Sequence, residues 1–295
     1  MKNQRGFTLV ELMISSLIGL IIMGGIMNLF ITTNRSATLS DALSQNQETG
    51  RFAMEYLTKF IRRAGYNDQF TLSMPAIFGK FPGGIPSIDC TAGSNEEDAC
   101  SVNDFEADTD EGQTPILGDR LGIPYVVSND TTRSCTGSEL PAKNGFYYVD
   151  TFWVVGDEKS SQYQDLVCRT YDVQVSAWLG DSAVSIINNV ERFEFQVGLA
   201  SDIKAQNTAR YINFTNAQAT TDYSFLVRSI RIAILTNSQE TENPDKIQSL
   251  KKDKKYSLLD AKEISRSDGI LRNIFMNTIE LTNLIETTRF NNTIQ

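Results

Sequence analysis

The stretch RGFTLVELMISSLIGLIIMGGIMNLF, residues 5–30, decides how the rest of this 295-residue chain is read. From Phe7 to Ile31 it carries 17 hydrophobic residues and three glycines, with Glu11 as its only charge. At ~1.5 Å of rise per residue, a helix of that length covers a hydrocarbon core of ~30 Å, so the segment is read as membrane-spanning. Lys2 and Arg5 precede it, and cations on the cytoplasmic flank keep the N-terminus inside and send the remaining residues outward. A carboxylate in a membrane helix costs ~3 kcal/mol or more unless it lies near the interface or finds a partner. Glu11 therefore calls for compensation.

The composition narrows the function classes. With 27 Lys+Arg against 36 Asp+Glu the formal charge is -9, so the chain lacks the basic footprint of a nucleic-acid-binding protein. Histidine is absent, which removes Ser-His-Asp and Cys-His nucleophile arrangements, His-bearing zinc sites and the commonest general base. No enzyme, cofactor or metal is expected. The four cysteines, Cys90, Cys100, Cys135 and Cys168, all follow the apolar segment, and no pair is spaced C-x-x-C. That pattern fits disulfides in an oxidising compartment better than a metal site. Three connectivities are open, of which Cys90 with Cys100 and Cys135 with Cys168 is the simplest; one bridge with two free buried thiols is the alternative.

Past residue 31 the sequence turns polar without a proline. Apolar or small residues then recur at Leu39, Leu43, Gly50, Ala53, Leu57, Phe60, Ile61 and Ala64, in helical steps. Arg62 and Arg63 followed by Gly65 give the cations and the glycine that helix C-termini prefer. One helix from about Phe7 to Ala64 would be ~85 Å long.

A secretory signal would end in a small-residue cleavage site after its apolar run, and TTNRSAT at 32–38 is a poor version of one. The small residue sits before the run instead: Gly6, then Phe7, Thr8, Leu9, Val10 and Glu11. This junction resembles the cleavage motif of type IV prepilins and of the pseudopilins of type II secretion. The resemblance implies that a prepilin peptidase cuts after Gly6 and methylates the new amine of Phe7. It also implies that Glu11, the family's acidic position, meets the amine of a neighbouring subunit during assembly. QNQETGRFAMEYLTKFIRRAGYND, residues 45–68, narrows the family further. Gln47, Glu48, Gly50, Arg51, Phe52, Ala53, Glu55, Arg63, Ala64, Gly65 and Tyr66 are similar to the close of the first helix in PilW-type minor pilins.

Residues 67–118 read as a loop-rich insertion containing SMPAIFGKFPGGIPS and the acidic SNEEDACSVNDFEADTDEG. Asp104, Glu106, Asp108 and Asp110 alternate there, but Gly112 and the missing downstream glutamate break the EF-hand spacing. Strand signals follow at 119–128, 145–155, 163–173, 185–199 and 225–238, rich in Val, Ile, Phe and Tyr. Several alternate, as Arg192, Glu194 and Gln196 do against Phe193, Phe195 and Val197, which predicts a half-solvated antiparallel sheet. SCTG at 134–137, LVC at 166–168, NVERFEFQVG and VRSIRIAILTNS also resemble PilW-type segments. LRNIFMNTIELTN, 271–283, resembles the closing segment and is read as strand. KKDKK at 251–255, the one basic run, is read as an exposed loop.

The expectation is thus an α+β, type IV pilin-like fold whose long N-terminal helix, with a membrane half and a periplasmic half, packs on an antiparallel β-sheet head. Its divisions are a leader at 1–6, a transmembrane and assembly half at 7–31, an amphipathic half at 32–65, the insertion at 66–118 and the head at 119–295. The resemblance implies a non-enzymatic minor pilin in the inner membrane and then at the pilus tip. Its partners would be prepilin peptidase, other minor pilins, the major pilin, the inner-membrane assembly machinery and a tip adhesin. A J-type minor pseudopilin of type II secretion is the alternative.

Overall fold

The computed structural model describes residues 8–66, 100–106, 117–127, 132–140, 146–156, 164–175, 177–218, 226–238 and 253–283. The chain divides into two units, residues 1–44 and 45–295. Helix α1, Leu9–Ile61, runs through the described part of the first and enters the second. Within the first unit, every apolar side chain from Leu9 to Ile31 is exposed, so α1 is long and apolar enough to cross a membrane and has nothing covering it there.

In the second unit α1 buries a stripe made of Asn46, Gly50, Ala53, Leu57, Phe60 and Ile61, continued by Ala64. The steps alternate four and three, so these residues fall on one face of the helix. The helix ends as the sequence leads one to expect: Gly65 takes φ 73°, a conformation costly for any residue with a Cβ, and its N–H donates to Pro124 O at 3.1 Å. Gly50 has a different reason. A Cβ there would lie 2.1 Å from Cε2 of Phe275, so only a bare backbone lets the helix settle on that ring.

The head is built from antiparallel pairs. One six-stranded sheet runs β1 (Val102–Glu106), β2 (Leu117–Val127), β3 (Phe146–Val155), β4 (Asp165–Asp172) and β5 (Ala177–Trp178), with β6 (Val184–Asn188) also on β4. The second sheet has the order β12 (Arg272–Glu280), β9 (Val227–Asn237), β7 (Val190–Leu199) and β8 (Arg210–Ile212). A short helix, α2 (Phe214–Gln218), and a hairpin of β10 (Lys254–Tyr256) and β11 (Ile264–Arg266) complete the described elements. One core cluster joins Leu57 and Ile61 of α1, Leu121, Ile123, Phe152 and Leu166 of the first sheet, and Phe193, Phe195, Ile232 and Ile234 of the second. Burying each large side chain contributes ~1.5–3 kcal/mol. The helix is thereby tied to both sheets.

Three details differ from the sequence reading. Within the loop-rich insertion expected at 66–118, β1 and the first residues of β2 are strands of the head's first sheet. The single strand expected at 185–199 is two, because Asn189 adopts φ 64° between β6 and β7, and asparagine tolerates that conformation better than most residues. The half-solvated sheet is covered on both faces at β7 and β9. Phe193, Phe195 and Ile234 face α1, while Ala233 and Leu235 of the opposite face lie under Tyr256, Leu258 and Ile264 at the β10–β11 hairpin. Burial therefore reaches Arg192 and Glu194, which alternation alone assigns to solvent. Lys255, from the basic run, pairs with Glu263 across that hairpin at 2.6 Å, and Lys251 and Lys252 lie outside the described residues.

Candidate functional site: the N-terminal helix and the head

The first residues of α1 form a local structure of their own. Thr8 N and Thr8 Oγ1 each donate to Glu11 Oε2 at 3.0 Å, and Glu11 N donates to Thr8 Oγ1 at 3.3 Å. This is a capping box, Thr-x-x-Glu, in which two otherwise orphaned amides at the helix start are satisfied reciprocally. Part of the compensation that Glu11 needs thus comes from its own helix, a signal present in TLVE that the reading by charge alone missed. Gly6 and Phe7 lie outside the described residues.

The other end of α1 is seated by side chains that converge from four elements. Tyr56 donates its hydroxyl to Cys135 O, and Arg63 Nη1 donates to Arg133 O at 2.8 Å. Arg63 also lies 3.6 Å from Asp150 Oδ2 on β3, with its guanidinium 4.6 Å from the Phe60 ring centre and 5.4 Å from that of Tyr125. Asp150 Oδ1 accepts from Cys135 N at 3.1 Å and from Thr170 Oγ1 at 2.7 Å. The bridge between Cys135 and Cys168 fixes the 132–140 segment to β4, so the carbonyl and amide that Tyr56 and Asp150 use stay in place. Burial raises the Asp150 pKa from 3.8 to about 6, against the opposing pull of Thr170, the Cys135 amide and Arg63. Cys100 is also disulfide-bonded, with its partner outside the described residues, where Cys90 lies as well.

Further along the helix, Asn46 donates to Thr236 O at 3.1 Å and accepts from Thr236 Oγ1 at 2.9 Å. A buried asparagine in an apolar stripe interrupts the hydrophobic pattern, which is why periodicity passed over it; its hydrogen bonds meet the cost of its burial. Two charged clusters support the second sheet. Arg272 pairs with Glu191 at 2.7 Å and with Asp268 at 2.5 Å, and Asn237 donates to Glu191 at 2.8 Å. Glu194 pairs with Arg192; burial and the nearby Asp119 carboxylate push its pKa up, against the pull of Arg192. Asp119 Oδ2 accepts from Phe195 N at 2.8 Å, which links β2 to β7. None of these clusters sets a nucleophile beside a base. Their chemistry is that of a braced scaffold. The side chains of Asp104, Glu106, Asp108 and Asp110 lie outside the described residues.

The second unit thus joins the C-terminal part of α1 to a disulfide-braced antiparallel head, and in the first unit α1 presents an exposed apolar run. Residues 1–27 match the prokaryotic N-terminal methylation motif, and residues 151–283 match the type IV pilus-assembly protein W family. The chain thus carries the methylation motif at its N-terminus and is PilW-like over residues 151–283. PilW-family proteins are generally non-enzymatic structural proteins. No curated protein matches the sequence. A type IV-like pilin from Thermus thermophilus is similar at 14% identity over 58% of this chain and 81% of that chain, with a TM-score of 0.28. The prepilin motif and the apolar helix together point to inner-membrane anchoring followed by the pilus, with the pilus machinery as partner.

Proposed function

We propose that the chain is a minor pilin whose work is assembly rather than catalysis. Prepilin peptidase removes the leader, residues 1–6, by cutting after Gly6 and methylates Phe7. Residues 7–31 then hold the subunit in the inner membrane and later line the filament. Residues 32–65 carry the helix onto the head at 119–295, and 66–118 form the insertion. With other minor pilins the subunit primes growth of the major pilin filament and stays at its tip, serving twitching, adhesion and DNA uptake. The observation that supports this reading best is the Thr8–Glu11 capping box at the start of a helix whose apolar side chains from Leu9 to Ile31 are all exposed. The box orders the helix start and holds a carboxylate one turn from the amine that processing would create at Phe7.

Glu11→Gln separates the two roles, because glutamine also closes a capping box but carries no charge. The expected result is normal cleavage and membrane insertion with incorporation into pili lost. Full incorporation of Glu11→Gln would reject charge pairing as the role of Glu11. Intact pili and lost protein secretion in a deletion strain would favour the J-type pseudopilin.

A further inference from the structure

Between the C-terminal turn of α1 and the 132–133 segment lies a cleft of roughly 440 Å³, lined by Lys59, Arg63, Tyr66, Tyr125, Val126, Thr132 and Arg133. It holds three cations and no carboxylate among its described lining residues, in a chain whose net charge is -9. Tyr125 is 1% exposed, and its hydroxyl interacts with the buried Asp150 carboxylate behind the cleft. Tyr66, on the wall, is 48% exposed and offers an aromatic surface.

The charges differ in how firmly they are held. Arg63 is anchored by the Arg133 carbonyl and by buried Asp150, so it shapes the cleft. Arg133 pairs with Glu139 at 2.9 Å, but both side chains are more than half exposed, and such a pair is exchanged for another carboxylate at little cost. Lys59 is exposed, with its ammonium 5.9 Å from the Phe60 ring centre. On its other side Lys59 borders a second groove with Arg51, Arg62 and Glu55, so positive charge continues around the helix end.

We propose that this cleft docks an acidic segment of a neighbouring pilus subunit, whose carboxylates meet Lys59 and Arg133 while its backbone lies against Tyr66. Charge complementarity selects that occupant: a cationic, aromatic cleft suits a short peptide bearing carboxylates and gives a neutral one little. The proposal rests on the pilin reading above for the identity of the neighbour, but not for the chemistry of the cleft.

The test uses the full chain in neutral detergent micelles and a fluorescein-labelled hexapeptide, acetyl-(Asp-Glu)₃-amide, with acetyl-(Asn-Gln)₃-amide as control. Anisotropy is expected to show at least about tenfold tighter binding of the acidic peptide, weakened by salt as exposed charges require. Lys59→Gln should weaken it several-fold, and Lys59→Glu with Arg133→Glu at least about tenfold, with circular dichroism unchanged. Equal binding of the two peptides, no loss in Lys59→Gln, or tighter binding of inorganic phosphate or phosphatidylglycerol vesicles would overturn the proposal. In cells, a photo-crosslinking residue at Tyr66 should capture an acidic segment of another pilus subunit. Failure of peptide binding with incorporation intact rejects the cleft alone, whereas absence of the wild-type chain from pili rejects the pilin reading.

Discussion

Asp150→Asn tests whether the seat of the assembly helix contains a proton-sensitive group. Asp150 is fully buried, and its pKa stands at about 6 in the folded chain against an ordinary 3.8. A difference of about two pH units between the unfolded and folded chain is worth ~3 kcal/mol. The sign follows from which state holds the proton. Below about pH 3 both states are protonated and the full stability is present. As pH rises toward 6 the unfolded chain ionises first, so stability falls by ~3 kcal/mol and levels off above the folded pKa. Asparagine keeps an oxygen to accept from Cys135 N and Thr170 Oγ1 but never ionises. Urea unfolding in micelles, followed through Trp153 and Trp178, gives ΔG for both proteins from pH 3 to 7. The difference, variant minus wild type, is expected to grow by ~3 kcal/mol across that range. Taking the difference removes the pH dependence contributed by Glu194, whose raised pKa acts in the same direction in both proteins. A flat difference, or one that falls with pH, would refute the reasoning.

Two further predictions concern packing and cross-linking. Gly50→Ala would ordinarily gain ~1 kcal/mol of helix propensity, but against Phe275 it is expected to cost ~1–3 kcal/mol, and Phe275→Ala in the same chain should remove most of that penalty in a double-mutant cycle. Replacing Cys135 and Cys168 by serine opens a link of sequence separation 33 and should cost ~4 kcal/mol in urea unfolding, with faster proteolysis at residues 132–140.

What the sequence made legible was whatever repeats or terminates. The alternating four- and three-residue steps of Leu57, Phe60 and Ala64 announced the buried face, and Gly65 announced the turn at φ 73°. Residues whose meaning depends on distant partners were not legible. Asn46 looks like a surface residue until Thr236 lies across from it, and Glu194 looks solvated until Asp119 and the surrounding sheet bury it. Period-two alternation reports one covered face and cannot foresee a second layer, here the β10–β11 hairpin, folding over the other. The TLVE box was readable from spacing alone, but the apolar run around it drew attention to charge rather than to capping. The cationic cleft comes from residues about seventy positions apart, Lys59 and Arg63 with Thr132 and Arg133, which only the tertiary fold joins.

The central claim is that this chain is processed at its N-terminus and then built into a pilus. Intact mass and N-terminal sequencing of the native protein from membranes and from sheared pili test it most directly. The account predicts a mature chain beginning at methylated Phe7 in both fractions; a chain that retains Met1, or one that begins beyond residue 31, would contradict it.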